Sequence, residues 1–255
     1  MRFFGILLPI IMLMVSFQGR AQSQRSKSDS AESIPMFYGF YGYQWPGADM
    51  AARYGSNSTI GPGFLWKTSS NLLFGVEYNY LFGNNVKNGL DLLKGITTSN
   101  GNVISGDGTP AVVALFERGH IISAKFGKLI PVSKADKNSG FFFTAGLGYI
   151  IHKIRIEVQN ESAPQLKGDY KRGYDRLSGG LTLSQSVGFM YFGKNKLLNL
   201  TLSVEAFEGW TNAYRDYYFD TMSAPDGKNF DFLIGPKIAW MIPMRQRSVN
   251  EFYYY

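Results

Sequence analysis

Between Leu177 and Glu208 apolar and small polar residues alternate. Leu177, Leu181, Leu183, Val187, Phe189 and Tyr191 hold one parity; Ser178, Gly180, Thr182, Ser184, Ser186 and Gly188 hold the other. After Gly193-Lys194-Asn195-Lys196 the pattern resumes, with Leu198, Leu200, Leu202, Val204 and Ala206 set against Asn199, Thr201, Ser203 and Glu205. Period two over this length means strand, because successive side chains point to opposite faces. A tight turn between two such runs makes a long hairpin. The polar parity is mostly Ser, Thr, Gly and Asn, where a solvated face would carry charges. That fits an apolar face in lipid and a polar face in a narrow lumen. It also fits one sheet of a soluble sandwich with the apolar face in its core.

The rest of the chain separates these readings. Further strands are predicted over 36–45, 58–67, 72–82, 111–132, 140–157 and 229–244. Ile60, Pro62, Phe64 and Trp66 share a face, as do Phe74, Val76, Tyr78, Tyr80 and Phe82, and Phe232, Ile234, Ile238, Trp240 and Ile242. The first strand (MFYGFYGYQW) is aromatic on both parities, so its facing stays open. Asp49–Arg53 can form one helical turn. The connections run long, short, long, short, long, short, long, with 83–110, 160–173 and 210–228 among the long ones. Short turns at one end and long loops at the other are the plan of an outer-membrane barrel, and a sandwich has no reason to sort loops by length. The predicted fold is all-β: an eight-stranded antiparallel up-and-down transmembrane β-barrel spanning 36–244, with both termini periplasmic and the long loops extracellular. Trp66, Phe141, Phe143, Tyr191 and Trp240 would form the girdle near the short turns, and Tyr80, Phe82, Tyr149 and Phe232 the opposite one.

The amino end supports export. Met1-Arg2 precedes an unbroken apolar run over 3–17, and Gly19-Arg20-Ala21 offers a cleavage point, the layout of a secretory signal peptide over 1–21. The run is shorter than the ~20 residues a membrane-spanning helix needs. Residues 22–35 are polar and aperiodic and read as a flexible periplasmic lead-in. There is no cysteine, hence no disulfide framework and no thiol-linked lipid. Formal charge is +7, falling to +5 once Arg2 and Arg20 leave with the signal peptide. The pI near 9.4 does not indicate nucleic acid, since no basic helix, RNA-binding aromatic motif or zinc spacing accompanies it. Lipid and lipopolysaccharide phosphates are the expected anionic partners.

Four charges fall on inward parities at similar depth: Glu77, Lys125, Glu205 and Lys237. A lone charge in a narrow lumen is costly, so two acids and two bases are expected to pair in a mid-barrel network. Catalysis finds little support. The histidines are His120 and His152; His120 shares the lipid-facing parity with Ile122, while Ser123 lies on the opposite face, a poor nucleophilic arrangement. Arg118 and His120 are instead expected to contact lipopolysaccharide, and His152 to be an inward or rim residue with an ordinary hydrogen bond. No set of residues has metal-ligand spacing; Asp216, Asp220, Asp226 and Asp231 lack the spacing of a calcium loop and read as a solvated acidic loop. No cofactor is expected. Trp210, Tyr214, Tyr217, Tyr218 and Phe219 are many aromatics for a loop, and either contact a partner or pack on one another over the barrel mouth. The tail over 245–255 (RQRSVNEFYYY) ends on aromatics beyond the last strand and reads as periplasmic.

Several stretches carry a resemblance: the aromatic-glycine first strand, Pro46-Gly47-x-Asp49-Met50-x-x-Arg53-Tyr54-Gly55, Lys67-Thr68-Ser69-Ser70-Asn71 and Leu81-Phe82-Gly83-Asn84-Asn85. Over residues 36–85 the chain resembles small outer-membrane barrels of Bacteroidota, and beyond them it shares only their architecture. These look like OmpA-type or OmpX-type domains, and some are non-catalytic subunits of machines for barrel assembly or type 9 secretion. Asp29-Ser30-Ala31 and Asp220-Thr221-Met222 look like the three-residue O-glycosylation pattern of that phylum. The resemblance implies a non-catalytic structural or accessory subunit that meets other outer-membrane proteins. Alternatives are a binder or narrow transporter of small hydrophobic molecules and, third, a lipid-modifying barrel enzyme.

Overall fold

A computed structural model describes residues 31–133, 136–159, 163–193, 198–225 and 227–244. The signal peptide over 1–21, most of the lead-in, Asp226 and the tail over 245–255 lie outside the described residues.

Eight long strands follow the alternating runs: β1 (Ile34–Gly47), β2 (Asn57–Lys67), β3 (Leu72–Gly83), β6 (Val113–Pro131), β7 (Gly140–Val158), β8 (Ser178–Phe192), β9 (Asn199–Ala213) and β10 (Lys228–Pro243). Two short ones, β4 (Val103–Ile104) and β5 (Pro110–Ala111), pair within the longest loop. The long strands close in the order β1-β10-β9-β8-β7-β6-β3-β2, antiparallel throughout, which leaves no free edge. Each presents large apolar residues outward: Phe37, Ile60, Val76, Ile122, Leu147, Leu181, Leu202 and Ile238 are all exposed. A closed ring with a greasy exterior satisfies its backbone internally and suits a bilayer, so the fold is a transmembrane β-barrel. Trp66, Phe141, Phe143, Tyr191 and Trp240 are exposed toward the short-turn end.

The first strand's facing is now settled. Phe37, Tyr41, Tyr43 and Trp45 point outward, while Met36, Phe40 and Gln44 are buried. Inward aromatics fit because Tyr38 and Phe40 pair across the ladder with Gly63 and Gly61, which leave room for the rings. Most strand ends shift by one or two residues from the sequence expectation, and three of the shifts bear on the lumen and the loops. Strand β1 starts at Ile34, two residues inside the expected lead-in, because Ile34 is buried against the lumen floor. Ala111 belongs to β5 and not to the long strand. Strand β9 runs to Ala213, so the last loop begins at 214 and not 210: Gly209, Trp210, Thr211 and Asn212 still pair with both β8 and β10. Pro62, which lacks a donor, interrupts the β2–β3 ladder between Ile60–Tyr80 and Gly63–Glu77.

The lumen is filled in tiers. Ile34, Met36, Leu65, Leu73, Leu129, Phe142, Met190 and Met241 form an apolar floor. Beside it Lys67, fully buried, donates to the Glu32 carbonyl (3.0 Å) and to Asn138 Oδ1 (2.9 Å). A roof joins Leu81, Ile121, Ile150, Phe207 and Leu233 of the strands to loop residues. The latter include Met50 of the helix α1 (Ala48–Arg53), Leu92, Leu93, Leu166 and Tyr174.

Candidate functional site

The middle tier is a square of charge. Strands β3, β6, β9 and β10 place Glu77, Lys125, Glu205 and Lys237 in the lumen. In the ring order β3 lies opposite β9 and β6 opposite β10, so signs alternate around the square. Lys125 reaches Glu77 Oε1 at 2.7 Å and bonds Glu205 Oε1; Lys237 reaches Glu77 Oε2 at 2.5 Å and Glu205 Oε2 at 2.8 Å. Glu77 also accepts from Tyr38 Oη (2.7 Å) and Asn79 Nδ2 (3.0 Å). Lys237 Nζ lies 3.8 Å from the Phe40 ring centre, a cation–π contact. Two acids and two bases cancel, and the remaining space beside them is about 40 Å³, room for roughly one water.

A second polar cluster lies under the roof, and the sequence did not reveal it. Asp231, treated above as a solvated loop acid, is 2% exposed on the inward face of β10. Its Oδ2 accepts from Thr211 Oγ1 at 2.6 Å and lies 2.9 Å from His152 Nε2; its Oδ1 accepts from Arg53 at 3.0 Å. His152 Nδ1 is 3.4 Å from Tyr54 Oη. Burial pushes the Tyr54 hydroxyl well above the usual phenol range, so it remains a donor. Ser, His and Asp do meet here, since Ser178 pairs with His152 across β7 and β8. Both imidazole nitrogens, however, face Asp231 and Tyr54, and the Ser178 hydroxyl donates to the Arg176 carbonyl (3.2 Å) and accepts from Arg53 (3.2 Å). The arrangement braces α1 and does not prepare a nucleophile. Lys67, Glu117 and Asp231 share inward parities with residues already identified on their strands. Extending those parities would have found them. Glu117, fully buried, accepts both bonds from Asn57 Nδ2 (3.1 and 3.3 Å).

The five loop aromatics do not form one cluster. Trp210 is on the β9 wall, with its ring 5.8 Å from Phe230. The Tyr214 hydroxyl bonds that of Tyr149 on the outer face. Tyr218 lies under the Arg176 guanidinium, and Phe219, partly buried, packs on Tyr174 of the roof. Tyr217 is an exposed loop side chain like Tyr214, but its ring meets only the edge of Phe219. Asp220 is likewise not solvated: its side chain is 5% exposed and paired with Arg176.

Arg118 and His120 sit on the outward face of β6 near the long-loop end. Tyr78 Oη lies 2.6 Å from His120 Nδ1, and Tyr78 and Tyr80 pack against the imidazole. Arg118 donates to the Gly83 carbonyl at 3.2 Å and stacks over Phe116. Ser123 faces the lumen, on the other side of the strand. Arg118 and His120 border an open cleft of about 880 Å³ between β6, β7 and the loop following β7.

No protein-family model matches the chain, and no curated protein matches it. Among solved structures, it is similar to Ail, the attachment invasion locus protein of Yersinia pestis, solved in complex with the heparin analogue sucrose octasulfate. That likeness has 8% identity and a TM-score of 0.39, covering 82% of this chain and 100% of that one. OprG of Pseudomonas aeruginosa (12% identity, TM-score 0.38, 83% and 96% covered) and Neisserial surface protein A (10%, 0.37, 81% and 96%) are similar to the same degree. At these scores the barrel rests on its own strand pairing, and no ligand or activity carries over.

Proposed function

We propose that this chain is a non-catalytic subunit of a bacterial outer membrane, with its short turns and termini periplasmic and its long loops extracellular, acting through its outer surfaces. The observation that carries this reading is the closed lumen. An apolar floor, a neutralised charge square and a loop-built roof follow one another along the axis. The reading of a transporter for small hydrophobic molecules would need a passage, and the mid-lumen space of about 40 Å³ is too small for one. The apolar dent outside Pro62, about 250 Å³, opens toward the lipid side. What remains is a rigid wall with extracellular loops, suited to docking beside other envelope proteins, an assembly or secretion complex being the partner class that the sequence resemblance implies.

Two measurements test this. In planar bilayers the purified barrel should show no steady unitary conductance; a reproducible open channel overturns the closed-lumen reading. With an affinity tag inserted at Ser99-Asn100, in an exposed turn, mild-detergent extraction from native membranes should recover another outer-membrane protein in fixed ratio. Recovery of a lone barrel would overturn the subunit reading.

A further inference from the structure

We infer that the cleft bordered by Arg118 and His120 is a binding site for the phosphorylated headgroup of an outer-leaflet glycolipid. The inference rests on the membrane orientation proposed above. The sequence placed only two residues here; the fold gathers a site from three segments. Lys153 and Arg155 lie on the outward face of β7, and Arg118 pairs directly with Lys153 across the ladder. The loop after β7 folds back in two 3-10 turns, Pro164–Leu166 and Gly168–Gly173, and brings Lys167, Lys171 and Arg172 to the opposite wall. Leu166, 1% exposed in the roof cluster, anchors this loop, so the wall is held by packing.

Charge bookkeeping favours an anion. Seven lysine and arginine side chains line the cleft, with Arg215 the seventh, against two carboxylates, Glu157 and Asp175. Both carboxylates are already taken. Arg155 Nε donates to Glu157 at 2.7 Å, and Arg215 donates two bonds to Asp175, at 2.9 and 2.6 Å. Arg172 is paired in turn with Asp169 at 2.9 Å, so the net positive field comes from Arg118, Lys153 and Lys171. It is concentrated in a concave site, where it attracts phosphate more strongly than scattered surface charges do.

Position selects a lipid over a free phosphate. Directly below the cations, on the same outward faces, lie Ile122 (61% exposed), Tyr149 and Leu147 (59% exposed), which are wall residues suited to acyl chains. Arg118 is four residues from Ile122, roughly 13 Å along a strand, so phosphate and chain contacts follow one another at the spacing of a headgroup above its hydrocarbon. Tyr80 and His120 line the junction with amphipathic rings of the kind found at a membrane interface.

The test uses the full purified chain in dodecyl maltoside, with native mass spectrometry reading retained lipid. Wild type should keep diphosphoryl lipid A in preference to its fully dephosphorylated form. Lys153→Glu combined with Lys171→Glu should reduce that retention by about tenfold, from two reversed surface charges. Lys128→Glu, on the lipid-facing parity near the short turns, should leave it unchanged. Heat-modifiable migration in gels confirms that each variant is folded. Equal retention of both lipids, or retention indifferent to the double substitution, overturns the site. Inorganic pyrophosphate bound at the cleft and displacing the lipid at equal concentration would make a soluble phosphate the ligand and overturn the lipid. None of these results touches conductance, so a failed site would leave the closed-lumen reading standing, and a conducting barrel would not by itself remove the site.

Discussion

Two polar networks occupy one lumen and are built from different materials. In the middle tier all four charges come from strands: Glu77, Lys125, Glu205 and Lys237 project from β3, β6, β9 and β10. The set balances its own charge and depends only on barrel closure. In the upper tier Asp231, His152 and Thr211 come from strands, but Arg53 and Tyr54 arrive from the first loop, at the end of α1. The comparison separates two functions of buried polarity. The square ties opposite walls of the barrel together; the upper cluster ties a loop to the wall. Damage to the first should be global, and damage to the second local.

The largest effect is expected at the square. Glu77→Ala leaves two ammonium groups facing one carboxylate and removes the acceptor of Tyr38 and Asn79. Breaking a buried pair in this way costs about 3–5 kcal/mol. Urea unfolding of the barrel in vesicles measures it, and an unmoved midpoint would sink the proposed bracing role. Glu77→Gln combined with Lys237→Met keeps the square neutral and should recover part of the loss, because the two sites are coupled.

Next comes the wall beside the square. Val204 is lipid-facing and adjacent to inward Glu205. Val204→Arg should cost about 2–4 kcal/mol if that face meets hydrocarbon at the midplane. A cost near zero in the same unfolding assay would mean that water, not lipid, covers the exterior. Asp231→Ala should cost less, about 1–3 kcal/mol, since it strands polar partners of which Arg53 can turn toward water. Hydrogen exchange should quicken at Met50–Tyr54 while β7 and β9 keep their protection. Uniform loss of protection would show that the two tiers are one unit.

The two tiers also differ in how far the sequence discloses them. Alternation is local, and a closed barrel converts it directly into inside and outside. Glu77, Lys125, Glu205 and Lys237 were therefore legible as lumen residues before any pairing was known. The upper tier depends on which loop folds inward, and nothing local in Ala48–Tyr54 distinguishes a helix that plugs a lumen from one that lies on the surface. Asp231 was misplaced for a related reason. The Tyr- and Asp-rich stretch just before it has loop composition, and Asp231 was grouped with those acids although it falls inside the predicted strand 229–244 and shares its parity with Gly235 and Lys237. Trp210 erred in the same direction, because the β9–β10 pairing that extends the strand to Ala213 is a long-range fact. The basic cleft needed three segments to converge, and the sequence placed only Arg118 and His120 beside one another.

The smallest effect on stability should fall at Tyr217, and it bears on the same contrast at the loop tips. Phe219, two residues on, is partly buried against the roof, whereas Tyr217 is exposed with only an edge contact to it. Tyr217→Ala should therefore change unfolding by less than about 0.5 kcal/mol, the usual range for a surface substitution. An exposed aromatic that contributes little to its own fold is affordable for a contact with another protein. If the loop-tip surface is where a partner docks, Tyr217→Ala should lower the partner recovered with the loop-tagged barrel while conductance, unfolding and lipid retention stay as in wild type. Unchanged recovery would move the docking surface away from this loop and onto the wall, where Trp210 and Phe230 lie side by side.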